Sequence, residues 1–204
     1  MFISDVDNPL YFPASLPMQL PPNSDRISGM AVYNDSVVVG RRLDMHVILG
    51  ETNRTDAGLP LFRLEKLNAH FGFANQYAIV NAHNYLLFLG TDSQFYALKN
   101  INIVSDSLST QVISKTVNIH GHPINVKKDD IWHASSIFYN DCFYTAIGDK
   151  ILVYHYQHQA WTVYAQIGAT CFYLLFNTLL IGTKKGKVVM PSENFLDIDK
   201  PYRA

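Results

Sequence analysis

One pattern constrains this chain more than any other feature, and it returns four times. An apolar run meets a tight turn at an Asn-type residue, a second run follows, then a glycine turn, then a third run. The first copy is "AVYNDSVVVGRRLDMHVILG", turning at Asn34-Asp35 and again between Gly40 and Asp44. The second is "YAIVNAHNYLLFLGTDSQFYAL", turning near His83-Asn84 and from Gly90 to Ser93. The third, "SSIFYNDCFYTAIGDKILVYHY", turns at Asn140-Asp141 and Gly148-Asp149. A looser fourth, "CFYLLFNTLLIGTKKGKVVM", has Phe176-Asn177 and the glycines Gly182 and Gly186. Asn-Asp and Gly-Asp pairs tolerate the positive backbone angles of tight hairpin turns.

The pattern predicts antiparallel strands over residues 31–49, 77–98, 136–156 and 171–190, each set in its own sheet. Gly40, Gly90, Gly148 and Gly182, taken as second-turn glycines, stand 50, 58 and 34 residues apart. Those intervals scatter around the roughly 40–50 residues of a propeller blade. Continuous apolar runs such as "SVVV", "YLLFL" and "TLLI" suit sheets buried on both faces. The expected fold is therefore all-β, a β-propeller-like array of about four antiparallel blade sheets, with a β-sandwich as the alternative. The abundance of Tyr and Phe, 12 of each, favours strands in the same way.

"HQAWTVYAQ" after the third copy and "PLFRLEKLN" after the first are expected outer strands. The second has a helical rival, because Leu61, Leu64 and Leu67 recur at helical spacing before Gly72. Strand is favoured, since a blade needs its outer strand there. Pro13, Pro17, Pro21 and Pro22 make residues 12–29 an extended connector, because proline removes ladder donors and fixes φ.

With 48% hydrophobic and 16% charged residues, the 204-residue chain reads as one ordered domain. A net charge of −1 gives no global attraction to nucleic acid or an anionic membrane. The opening residues lack the basic-then-apolar order of a secretory signal, and no run reaches the ~20 apolar residues of a membrane helix.

Candidate chemistry is sparse. Cys142 and Cys171 lie in apolar runs and are expected to be buried free thiols. His120 and His122 share one side of a strand, with His133, His155 and His158 further on, yet no acidic ligand stands at a recognisable zinc spacing. "HGHPINVKKDD" reads more simply as a polar connector, with Lys127-Lys128 and Asp129-Asp130 a solvated charge cluster. Glu193, Asp197 and Asp199 lack the spacing of a calcium loop. No phosphate-binding glycine loop, nucleophile elbow or zinc-protease helix is present. Neither metal, cofactor nor catalytic residue is therefore expected. Two basic clusters remain, Arg41 and Arg42 in "GRRLD" and Lys184, Lys185 and Lys187 in "TKKGK". Both fall at second turns, so in a propeller they would share a rim. Exposed hairpin lysines ordinarily serve solubility and edge protection; the functional alternative is a ring of phosphate contacts.

"FISDVDNPLYFP", "ISGMAVYNDSVVVGRR", "FRLEKLN", "IVNAHNYLLFLGTDSQFYAL" and "FLDIDKPYRA", in that order, resemble the β-propeller tail proteins of double-stranded DNA bacteriophages. These include the packaged-DNA stabilisation proteins and the tail hub or nozzle components. The likeness is strongest over residues 2–98. It implies a non-enzymatic virion subunit that closes or extends a DNA channel as a ring, with itself and neighbouring portal or tail proteins as partners. It implies a virion location, with host cytoplasm during assembly, and DNA contact without sequence preference in the assembled ring. Relatives are longer, so it also implies that residues 1–204, read as a single propeller-like domain, are incomplete at both ends. The rival is a carbohydrate-binding or carbohydrate-cleaving propeller, which would carry exposed Trp or Tyr beside carboxylates.

Overall fold

In a computed structural model, the described residues are Leu10, Leu20, 25–54, 60–67, 69–102, 107–114, 118–119, 122–123, 127–191, 196–197 and 200–201. Pro13, Pro17, Pro21 and Pro22 of the connector, His120, Glu193 and Asp199 lie outside them, and Ile27–Gly29, read as the connector's end, are strand instead. The fold is all-β, with four antiparallel sheets of three or four strands. The first sheet holds β1 (Ile27–Tyr33), β2 (Ser36–Arg41), β3 (Met45–Arg54) and β4 (Pro60–Leu67). The second holds β5 (Ile79–Ala82), β6 (Tyr85–Leu89), β7 (Phe95–Asn102) and β8 (Ser107–Val112). A short ribbon, β9 (Asn118–Ile119) with β10 (His122–Pro123), precedes the third sheet. That sheet comprises β11 (Ser135–Tyr139), β12 (Cys142–Ile147), β13 (Lys150–His155) and β14 (Ala160–Tyr164). The fourth has β15 (Ala169–Leu175), β16 (Thr178–Thr183) and β17 (Val188–Val189), followed by the ribbon of β18 (Leu196–Asp197) and β19 (Lys200–Pro201). In every sheet neighbouring strands are consecutive in the chain.

The first turn of each copy is a two-residue hairpin. Tyr33 pairs with Ser36, Ala82 with Tyr85, Tyr139 with Cys142 and Leu175 with Thr178. Asn34-Asp35 has φ of 47° and 57°, Asn140-Asp141 47° and 56°, and Phe176-Asn177 45° and 62°. Two successive left-handed residues match the right-handed twist of the strands they join. The segment with leucines at helical spacing is strand β4, because Leu64 pairs with Ile48 and Arg63 with Leu49 of β3.

The second-turn glycines differ from expectation. Only Gly148, at φ +62°, sits in a tight turn. Gly40 and Gly182 lie within β2 and β16, and Gly90 bridges to Phe73 just before its turn. They answer a need for space. A Cβ on Gly40 would come 2.5 Å from Phe73 Cδ2 and 2.8 Å from the Phe73 nitrogen; one on Gly182 would come 2.6 Å from Cys171 Sγ.

Two compact units divide the chain, residues 1–114 and 115–204. In the first, Tyr33, Val38, Met45, Val47 and Leu67 of one sheet form a core with Leu86, Phe88, Tyr96 and Leu98 of the next. Phe73 meets Phe88 edge-on at 4.9 Å, and Phe88 stacks on Tyr96 at 5.4 Å. In the second unit, Ala146, Ile151 and Val153 pack with Ala169, Leu179 and Ile181. Each stacked pair carries the same tie. Tyr33, just before the first sheet's hairpin turn, has its hydroxyl 2.6 Å from the Asn84 carbonyl in the turn of the second sheet, and equally from Lys99 O. Tyr139, at the corresponding place in the third sheet, donates to Asn177 O at 3.0 Å in the turn of the fourth. Sheet edges are managed by side chains. Gln76 receives the Met30 N–H at 2.8 Å and donates to Met30 O at 2.9 Å, and Asn81 donates to Val32 O. Strand β1 thus has part of its outer backbone row satisfied before another chain can pair with it.

Candidate functional site

Two groups of polar side chains are held in fixed geometry. In the first unit, the "GRRLD" loop between β2 and β3 folds Asp44 back onto Arg41. The Arg41 N–H donates to Asp44 O at 2.9 Å. The guanidinium grips the carboxylate through Nε to Oδ1 at 2.7 Å and Nη2 to Oδ2 at 2.6 Å. Arg41 is 3% exposed. It therefore does not stand on the surface as the sequence reading expects, whereas Arg42 next to it is exposed. The segment before Phe73 leaves room for the Arg41 backbone through a glycine, since a Cβ on Gly72 would land on the Arg41 carbonyl.

His46, 1% exposed, completes this buried cluster: Nδ1 lies 3.7 Å from Asp44 Oδ1, and neither ring nitrogen has a hydrogen-bond partner. Burial holds its pKa below 6.5; Asp44 opposes that shift, and Arg41 and Lys66 reinforce it. Burial would raise the Asp44 carboxyl, yet hydrogen bonding and charge from Arg41, followed by the charges of His46 and Lys66, carry it below its usual range. Both shifts favour proton uptake by the unfolded chain. Stability should thus be full above the unfolded imidazole value near 6.5. It should fall as pH drops through that value, and fall again in the carboxylate range as Asp44 protonates. Urea titrations at stepped pH check this, and His46→Leu should flatten the first step alone.

In the second unit, Cys142 and His155 are cross-strand partners on β12 and β13. Cys142 Sγ lies 3.3 Å from His155 Nδ1, and His155 Nε2 lies 3.0 Å from Thr162 Oγ1 on β14. The order of thiol, imidazole and hydroxyl is that of a nucleophile with its base and orienter. The electrostatics oppose that use. Burial first, and the Asp141 charge second, push the Cys142 thiol up. A thiol held protonated is a weak nucleophile at neutral pH. The pair is better suited to tying the ends of β12, β13 and β14 together than to covalent chemistry.

Both cysteines are unbridged, but burial differs from expectation: Cys142 is half-buried and Cys171 exposed. Alternation explains Cys171. It sits opposite Gly182 on the outward face of the fourth sheet, while its neighbour Phe172 points into the core. Thiol titration of the unfolded, unreduced protein should count two free thiols.

Lys184, Lys185 and Lys187 stand exposed on the β16–β17 turn of the second unit. That turn is closed by Thr183, whose N–H donates to Lys187 O at 2.9 Å. Among the described residues no three His, Cys, Asp or Glu side chains gather as a metal site, and no helix is long and apolar enough to cross a membrane. The signal that separates Arg41 from Arg42 is Asp44 three residues on, which sequence reasoning passed over; "YND", shared by residues 33–35 and 139–141, likewise marked the tyrosine ties.

No family model and no curated protein matches the chain. Among solved structures it is similar to the computationally designed Ika8 protein, at 16% identity and a TM-score of 0.44. The alignment covers 79% of this chain and 44% of that one, so the chain spans less than half of that protein's length.

Proposed function

We propose that this chain is a non-enzymatic structural subunit, joined to a larger assembly through the faces of its sheets. The observation that carries this reading is the fourth sheet. In the first three sheets consecutive strand residues are buried on both faces, as Met45–Ile48, Leu86–Leu89 and Ile151–Tyr154 show. In the fourth, Leu179 and Ile181 are buried while Tyr173 and Val188 stand open to solvent. Open apolar sheet faces of this size mark association surfaces.

The tail of a double-stranded DNA phage is the setting that the order of sequence segments supports. There the subunit would retain or conduct DNA in the virion, having been assembled in the host cytoplasm beside portal or tail proteins. Of the candidate phosphate contacts, Arg42, Lys184, Lys185 and Lys187 stand exposed. With a chain charge of −1, such contact needs several subunits in a ring. Electron microscopy of native particles, with this chain labelled, tests the assignment. Charge reversal of Lys184 and Lys185 should impair DNA retention or ejection by assembled particles. It should change stability by less than about 0.5 kcal/mol, because the residues are exposed hairpin positions. Wild-type ejection kinetics in that variant would remove the lysines from the mechanism.

One observation favours the carbohydrate reading. Trp132 is 39% exposed, in a 3-10 turn that also holds Asp130 and follows Asp129. An exposed ring beside carboxylates is what a sugar face stacks on. Glycan binding that is lost in Trp132→Ala, or glycosidase activity in the purified chain, would move the function to that class.

A further inference from the structure

In the first sheet, Ala31, Tyr33, Val38 and Val47 share the face that covers the second sheet. In the third, Ile137, Tyr139 and Tyr144 share the face that covers the fourth. The same register in the fourth sheet is occupied by Cys171, Tyr173 and Leu175 on β15, Leu180 on β16 and Val188 on β17. This face is built like the two that are covered, yet Tyr173 is 64%, Leu175 43% and Val188 68% exposed. Phe176 at the hairpin tip is 95% exposed and Met190 beyond β17 is 62% exposed. Phe176 also adopts φ +45°, where the first and third sheets place Asn34 and Asn140. A bulky side chain in that region is strained.

Taking ~150–250 Å² for each aromatic, the exposed side chains amount to roughly 600 Å² of apolar surface. That reaches the upper end of the largest patch on an ordinary monomer, about 300–600 Å². It also approaches the roughly 800 Å² that each partner gives to a standard interface. None of these positions is charged. The cations Lys184, Lys185 and Lys187 lie on the β16–β17 turn, at the end of the sheet away from Phe176.

We infer that this face is an isologous interface between two copies of the chain, the two β15–β17 sheets packing face to face about a two-fold axis with their strands antiparallel. The charges choose that direction. Antiparallel packing sets the lysine turn of one copy over the Phe176 tip of the other, where cations and an aromatic ring attract. Parallel packing would set lysines on lysines. The interface rests on the reading of the chain as an assembling subunit and names its first partner.

The test uses the purified full chain. Light scattering after size exclusion, from low to high micromolar concentration, should show a monomer passing to a dimer. In a Cys142→Ser background, alkylation of Cys171 should slow over the same range, because Cys171 lies within the covered face. Tyr173→Glu and Val188→Glu should abolish the dimer and the protection while circular dichroism shows the fold retained; Val32→Glu, at an exposed position of the first sheet, should leave both unchanged. A monomer at every concentration, with Cys171 alkylated at a constant rate, would overturn the interface, and so would a dimer insensitive to both glutamates. A chain that stays monomeric in isolation yet enters particles would overturn this pairing while leaving the assembly reading in place.

Discussion

Asp44→Ala should destabilise the protein by about 3–5 kcal/mol, the cost of removing one member of a buried ion pair. Total stabilities of such domains are about 5–15 kcal/mol, so the variant should lose a large share of its folding free energy. The physical cause is the guanidinium of Arg41, 3% exposed and held by two charge-assisted hydrogen bonds of 2.6 and 2.7 Å. Removing both partners should cost far less. Arg41→Met with Asp44→Leu takes both charges out together, and buried pairs replaced by apolar residues are often neutral. Urea denaturation of the two single variants and the double variant forms a cycle. Additive losses would show that the pair does not act as a unit.

Phe88→Ala should cost about 3–5 kcal/mol, by lost transfer energy and by the cavity left behind. Phe88 is fully buried, in the middle of β6, and is the ring on which the first unit's aromatic cluster converges. Phe73 meets it edge-on at 4.9 Å, Tyr96 stacks at 5.4 Å and Phe71 lies at 6.3 Å. Since these rings come from two separate segments, residues 71–73 and β7, the vacated space cannot be refilled by one rotamer change. The checking measurement is the denaturation midpoint, together with the loss of near-ultraviolet dichroism from the packed rings. Phe176→Ala, on a fully exposed ring, should leave the isolated chain's stability within about 0.5 kcal/mol or raise it slightly.

The sheets were legible in the sequence because a two-residue hairpin demands left-handed backbone at both positions, and few residues supply it. Asn34-Asp35 and Asn140-Asp141 therefore mark their turns directly. Glycine is more ambiguous. It can signal left-handed backbone, as at Gly148, or the absence of a Cβ, as at Gly40 against Phe73, and one sequence does not separate these. The "GRRLD" loop shows a similar limit. Both arginines read as surface cations, but a carboxylate three residues on turned the first inward. Cys171 shows another, since an apolar run suggests burial on both faces, while Cys171 and Tyr173 on the outward face of the fourth sheet stand exposed. What a neighbour covers is a tertiary fact, beyond the reach of local pattern.

Strictly consecutive strand order has a consequence for how the chain is made. Every strand of the four sheets pairs only with the strand just before or after it, so each ladder grows from a turn already present in the emerging polypeptide. Closing such short loops carries little entropic cost, and nothing in a sheet awaits a strand synthesised much later. Each sheet can thus be complete once its last strand has left the ribosome, and only the stacking of sheets, fastened by Tyr33 and Tyr139, requires the next copy to have arrived. Synthesis from the N-terminus then orders assembly one sheet at a time. Of these four sheets, the last to emerge is the one whose Tyr173 and Val188 stand open to solvent.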